Sequence, residues 1–182
     1  MRMVEAKTFK ISPRLDYLFQ QLQPGTDVWD LACDHGLVGM KAVVSGQFPS
    51  VTFVDKSVEA VEVLKRDFCV KLGGFDHSVD VAIVNGDMLE VPLPSENASL
   101  VVAGVGAHLI CRFIKRVPLG SNLTLVLGPN KNPDEVERAL KDLGWHITSQ
   151  EVLIEKGRER TVFTAIVEGS IELQRAGDRR NQ

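Results

Sequence analysis

The stretch Val28-Trp29-Asp30-Leu31-Ala32-Cys33-Asp34-His35-Gly36 constrains this chain more than any other. Its apolar first half reads as a strand. Small and acidic residues then turn the backbone, and a helix pattern begins at Leu37. A strand, a tight turn and a helix N-terminus form a natural ligand cradle, because the sheet holds the turn while the helix end offers unpaired N–H groups. The glycine-rich form of this turn is incomplete: Ala32 stands where a first glycine belongs, and Gly36 remains. The same residues also fit an ordinary strand-to-helix turn with Asp34 as helix cap.

Around this turn, strand and helix patterns alternate. Ser12 and Pro13 open a first helix, with Leu15, Leu18, Phe19 and Leu22 on one face and Pro24-Gly25 as its stop. Strands are predicted over 26–30, 51–55, 79–84, 100–103 and 123–127. Helices are predicted over 37–45, 57–72, 108–117 and 132–143. Gly73-Gly74 closes the second of these four. The apolar run at 100–103 suits a strand covered on both faces. Trp145 to Glu155 and Thr161 to Val167 read as two further strands. Only Gly157 and its charged neighbours separate them, so they pair antiparallel. The fold class is therefore α/β, a doubly wound and mostly parallel sheet whose last strand is reversed. Residues 1–10 read as a flexible N-terminus, 11–168 as one domain and 169–182 as a polar tail.

Composition narrows the setting. A protein of 182 residues with 44% hydrophobic residues can bury one sizeable core. No apolar run approaches the roughly 20 residues of a membrane span, and the N-terminus lacks a signal peptide's apolar core. Cys33, Cys69 and Cys111 lack metal spacing and read as reduced thiols of a cytoplasmic protein. A net charge of −3 does not advertise nucleic-acid binding. Local patches do: Arg112, Lys115 and Arg116 on one helix, and Lys156, Arg158 and Arg160 at the last hairpin. Each group also suits a solvated surface.

In such sheets ligands bind beyond the carboxyl ends of the strands. Asp55 ends the second strand, 25 positions after Asp30, where an acid accepts from two ribose hydroxyls or simply caps the next helix. Lys56 lies beside the adenine position or is merely exposed. Asn85-Gly86-Asp87-Met88 follows the third strand. There Asp87 suits an adenine amine, Gly86 permits close backbone approach, and Met88 packs on the ring; a plain Asn-Gly turn is the alternative. Gly104-Val105-Gly106 follows the fourth strand, either to admit a substrate or to allow a tight turn. His108 is a base or a helix-start polar group.

These positions resemble the layout of class I S-adenosylmethionine-dependent methyltransferases. That resemblance implies a Rossmann-like seven-stranded sheet and S-adenosylmethionine as cofactor. Ser12-Pro13-Arg14-Leu15, Asp30 to His35, Ala103-Gly104-Val105-Gly106, Pro129-Asn130 and Leu143-Gly144-Trp145 are similar to landmarks of TrmK-type bacterial tRNA (adenine-N1)-methyltransferases. Three departures stand out, at Ala32, Ala107 and Gly128, where that family has two glycines and a glutamine. Its members also carry a C-terminal helical extension that grips tRNA, whereas a short polar stretch follows residue 168 here.

The resemblance implies roles residue by residue. Arg14 pairs with the methionine carboxylate or a substrate phosphate. Asp30, Ala32, Asp34, His35 and Gly36 line the methionine end, Asp55 and Lys56 the ribose side, and Gly86, Asp87 and Met88 the adenine. Gly104, Gly106, Ala107 and Asn130 border the acceptor base, and Asp34, His35 and Asn130 serve the chemistry. Arg112, Lys115, Arg116, Arg158 and Arg160 face the substrate, with tRNA as partner. Two other readings stand beside this one: a methyltransferase on a small molecule or protein, and a non-catalytic binding module on the same fold. A nicotinamide enzyme is disfavoured, because it keeps the glycines that admit a pyrophosphate.

Overall fold

Period-two alternation along the strands decides which helix packs on which face of the sheet. The computed structural model describes residues 11–72, 79–120 and 122–167. The expected N-terminal lead-in, the polar tail and the Gly73-Gly74 stop lie outside the described residues. The elements are α1 (Pro13–Gln20), β1 (Asp27–Leu31), α2 (Leu37–Ser45), β2 (Ser50–Asp55), α3 (Val58–Leu72) and β3 (Asp80–Asn85). There follow β4 (Ala98–Ala103), α4 (Ala107–Ile114), β5 (Leu123–Gly128), α5 (Pro133–Asp142), β6 (Trp145–Glu155) and β7 (Arg158–Val167).

All seven strands form one sheet in the order β3-β2-β1-β4-β5-β7-β6. Pairs are parallel from β3 through to β5, and β7 runs antiparallel to both β5 and β6. The order reverses at β1, so β1 and β4 diverge at a topological switch point, where such sheets open a crevice.

Leu31, Val54, Leu100, Val102, Leu125, Leu127 and Phe163 point to one face, where α4 and α5 cover them. Val28, Phe53, Val101, Val126 and Val162 point to the other, beneath α1, α2 and α3. Each fully buried Leu, Val or Phe contributes about 1.5–3 kcal/mol of apolar transfer. Because β4 and β5 are covered on both faces, they are apolar almost without interruption.

Helix starts follow the sequence closely. Ser12 Oγ accepts from the Leu15 N–H at 3.3 Å, and Ser57 Oγ from the Ala60 N–H at 3.1 Å. Two boundaries differ from expectation by three residues. Helix α4 stops at Ile114, and 115–117 form tighter i→i−3 turns, Arg116 N–H to Phe113 C=O and Val117 N–H to Ile114 C=O. Pro118 follows directly and drives residue 117 out of helical space. Strand β7 starts at Arg158 rather than Thr161, because Lys156 and Gly157 both take positive φ, 50° and 72°, and close a two-residue hairpin. Strand β5 pairs with residues 163–166 of β7, so 158–162 pair with β6 alone and form an arm beyond the carboxyl edge of β5.

Candidate active site

Three residues with positive φ, Ala32 (52°), Asp34 (49°) and Gly36 (60°), carry the backbone from β1 into α2. Glycine adopts this conformation freely, whereas Ala and Asp cost about 1–2 kcal/mol each. Gly36 is the N-cap of α2 and makes no side-chain capping bond. Asp34 is therefore not the cap of α2. The turn is held from the neighbouring strand: the Cys33 N–H donates to Val54 C=O at 3.2 Å, and the Asp34 N–H to Asp55 Oδ2 at 2.9 Å.

Asp55 joins three segments. Its Oδ1 accepts from the Ser57 N–H at 2.9 Å, so part of its work is local capping. Its backbone carbonyl accepts from the Gly86 N–H and from Asn85 Nδ2, both at 3.0 Å. Each carboxylate oxygen keeps a further lone pair for a ligand. Beside it, Asp87 Oδ1 accepts from the Leu89 N–H at 2.8 Å in an Asx turn, which leaves Oδ2 able to accept from a ligand. A Cβ at Gly86 would meet Val91 Cγ1 at 2.6 Å, so a side chain there requires Val91 to move.

Asp30 sits deeper. It is buried, and its Oδ2 accepts from the Gly39 N–H at 2.9 Å, pinning the first turn of α2 to β1. Burial pushes its carboxyl up to about 7, against the Gly39 bond and with help from the nearby charge of Asp55. Burial also raises the Cys33 thiol, with Asp30 and Asp55 adding to it, so this cysteine stays protonated and unreactive.

These residues line one cavity of about 540 Å³, together with Arg14, Ala32, His35, Lys56, Met88 and Gly104. The cavity opens at the carboxyl ends of β1, β2, β3 and β4. His35 and Asp34 are solvent-facing, with Nε2 and Oδ2 3.7 Å apart. Leu15, Leu37, Val38, Ala60, Val101, Val105 and Leu109 complete its apolar walls. Leu15 and Val105 belong to motifs the sequence analysis quotes, whereas the others were given no site role, because apolar residues in helix and strand patterns read as core. Gly36, Gly106 and Ala107 stand just outside the lining, at the helix starts behind it. His108 is exposed on α4 and also lies outside.

Arg14 is the buried cation of the wall. Its Nη2 donates to Gly128 C=O at 2.7 Å, its Nη1 to Glu155 Oε2 at 3.3 Å, and its Nε has no partner. Desolvation draws its guanidinium below its ordinary value and Glu155 opposes that. Burial alone would raise Glu155, but bonds from Ser12 Oγ and Arg14 hold it below the usual carboxylate range. Glu155 escaped the sequence reading, since an acid closing a strand beside a charged turn carries no signal of its own.

The remaining predicted cations separate. Arg116 donates from Nη1 to Met88 C=O at 2.5 Å and from Nη2 to Val91 C=O at 2.7 Å, so it braces the loop behind Asp87. Arg160 donates from Nη1 to the backbone carbonyl of Asn130 at 2.5 Å. Arg112, Lys115 and Arg158 are exposed. Asn130 lies outside the cavity lining but touches its wall, donating from Nδ2 to Gly104 C=O at 2.5 Å and from N–H to Val105 C=O at 2.9 Å. Among the described residues no cluster of His, Cys, Asp or Glu could hold a metal ion, and no helix is long and apolar enough to cross a membrane.

Comparison with known proteins gives concordant matches. The family model described as a methyltransferase domain matches residues 11–163. Bacillus subtilis tRNA methyltransferase TrmK superposes with a TM-score of 0.74 at 22% identity, over 88% of this chain and 68% of that one. M. capricolum TrmK, solved with S-adenosylhomocysteine, superposes at 0.74 and 12% identity, over 87% of this chain and 69% of that one. An uncharacterized chloroplastic methyltransferase of Arabidopsis thaliana is 31% identical over 90 residues, spanning 50% of this chain and 25% of that protein.

Proposed function

The chain belongs to the methyltransferase-domain family, and from that premise we propose that it moves the methyl group of S-adenosylmethionine to adenine N1 of a tRNA. One observation carries the cofactor part of this reading, and the acceptor part rests on likeness to the TrmK structures. Two acids, Asp55 and Asp87, stand at the ends of adjacent strands, and Leu37 and Val38 at the start of α2 share their cavity with a buried arginine. That donor set fits the ligand's parts. Carboxylates suit ribose hydroxyls and an adenine amine, while free N–H groups and a guanidinium suit a carboxylate. A volume of about 540 Å³ lies within the usual range for a ligand of this size.

In this reading Asp55 and Lys56 flank the ribose, and Gly86, Asp87 and Met88 hold the adenine. Arg14, Asp30, Ala32, Asp34, His35 and the α2 start at Gly36 surround the methionine end. Gly104, Gly106, Ala107 and Asn130 border the acceptor. S-adenosylmethionine supplies an electrophilic methyl on sulfur. The protein's contribution is to orient the acceptor nitrogen in line with it and to exclude water, so catalysis rests on positioning rather than on a covalent enzyme intermediate. Asp34 and His35 are the two groups at the methyl end able to take a proton from the exocyclic amine. Asn130 is a donor and orienter, its amide already engaged with Gly104.

Among the described cations of the two basic patches, Arg112, Lys115, Lys156 and Arg158 are exposed and available to an RNA. Arg116 donates to two backbone carbonyls and Arg160 to one. This observation favours a second reading, a small-molecule acceptor, over the same cofactor site. The three free cysteines fit a reducing compartment such as the cytoplasm. The test is transfer of labelled methyl from S-adenosylmethionine to unmodified tRNA, followed by nucleoside digestion. Label in N1-methyladenosine, falling as salt rises, supports the tRNA reading. Absence of label from tRNA while the protein binds cofactor refutes it and leaves the small-molecule reading.

A further inference from the structure

We propose that Arg160 is a positioning residue that sets the acceptor-side wall of the cavity by holding Asn130 against Gly104. This deepens the methyltransferase reading and rests on it. Gly104 and Val105 line the cavity. Gly104 has φ of 80°, and a Cβ there would meet nothing within 4 Å, so no side chain packs against Gly104 on that side. Hydrogen bonds hold it instead. The Gly104 N–H donates to Gly128 C=O at 3.0 Å, and Asn130 Nδ2 donates to Gly104 C=O at 2.5 Å. The Asn130 N–H holds Val105 C=O at 2.9 Å. Asn130 in turn is half-buried, and its own C=O is held by Arg160 Nη1.

Arg160 is a costly way to stabilise a fold. It lies on the arm of β7 that pairs with β6 alone, opposite Leu153. Its Nε is buried without a partner. Its charge opposes that of Arg14, and the two arginines act on the one carboxylate of Glu155. An apolar group of similar volume would fill this place without leaving a buried N–H unpaired. What the guanidinium adds is a bond to the segment that aims Asn130. The arm therefore reaches the acceptor wall along one series of contacts, Arg160 to Asn130 to Gly104.

The test compares Arg160→Met and Arg160→Lys with the parent, by amide hydrogen exchange over residues 103–109, by S-adenosylmethionine titration, and by steady-state methylation of unmodified tRNA. In the methionine variant, exchange at Gly104 to Gly106 is expected to quicken about fivefold or more while cofactor affinity stays within about twofold. On tRNA, kcat falls about tenfold or more at a KM within about twofold of the parent, since the lost interaction serves orientation in the transition state. Lysine, which retains a donor for Asn130, restores most of both. Unchanged exchange at Gly104 to Gly106 in the methionine variant overturns the proposal. So does faster exchange throughout β5 and β7, which marks a plain structural role. A parent inactive on tRNA counts against the tRNA reading only, because the exchange result still decides the role of Arg160.

Discussion

Asp30 does two things that conflict at neutral pH. Its carboxylate ties β1 to α2 through Gly39, yet burial raises its proton affinity to about 7. An unfolded aspartate titrates near 3.9. Between these values the folded protein binds more protons than the unfolded one, so stability falls as pH rises from about 4 to about 7 and levels above. Asp30→Asn keeps an acceptor for Gly39 and removes the titration. Denaturant unfolding across pH 4–8 should show the variant gaining on the parent through this window, by about 1–3 kcal/mol at pH 8. A difference independent of pH would contradict this. The same residue shows what was legible from sequence. An acid near the end of a strand points to a candidate ligand edge, but only burial separates a helix anchor such as Asp30 from a half-buried cavity acid such as Asp55. Arg116 and Arg160 were indistinguishable from surface cations for the same reason. Their partners include backbone carbonyls 25 and 30 positions away in sequence.

At the scale of elements, α2 seats on β2 through a glycine. A Cβ at Gly39 would meet Phe53 Cε1 at 2.3 Å, and Phe53 is fully buried between α2 and α3. Gly39→Ala therefore overpacks the interface that carries the cavity-lining β1–α2 turn. It should cost about 1–3 kcal/mol in denaturant unfolding, with weaker cofactor binding as α2 shifts. Unchanged stability would contradict the close seating of α2. Periodicity made most elements readable: β6 runs from Trp145 to Glu155 as expected, and α3 covers the residues expected after Ser57. What it missed lies where charge overrides pattern. Arg158, Glu159 and Arg160 read as turn because they are polar. They belong to a strand because Lys156-Gly157 closes the hairpin in two residues. Val117 continued an apolar helical pattern that Pro118 cuts short.

On the scale of the whole molecule, the sheet order places every suggestive strand end at one edge. The reversal at β1 opens the cavity there, and the antiparallel β7 carries an arm past that edge toward Asn130. The alternation of strands and helices was enough to predict this layout. The pairing of Arg14 with Glu155, 141 positions apart, was not, since it depends on how α1 meets the end of β6. The central claim is that the cavity is an S-adenosylmethionine site organised by Asp55. The most direct measurement is a calorimetric titration of the protein with S-adenosylmethionine, beside Asp55→Ala, with unfolding of the variant checked in parallel. The account predicts micromolar binding by the parent and about a tenfold or greater loss in a folded variant, as expected when charge-assisted hydrogen bonds are removed. No binding by the parent, or equal binding by the variant, would contradict it.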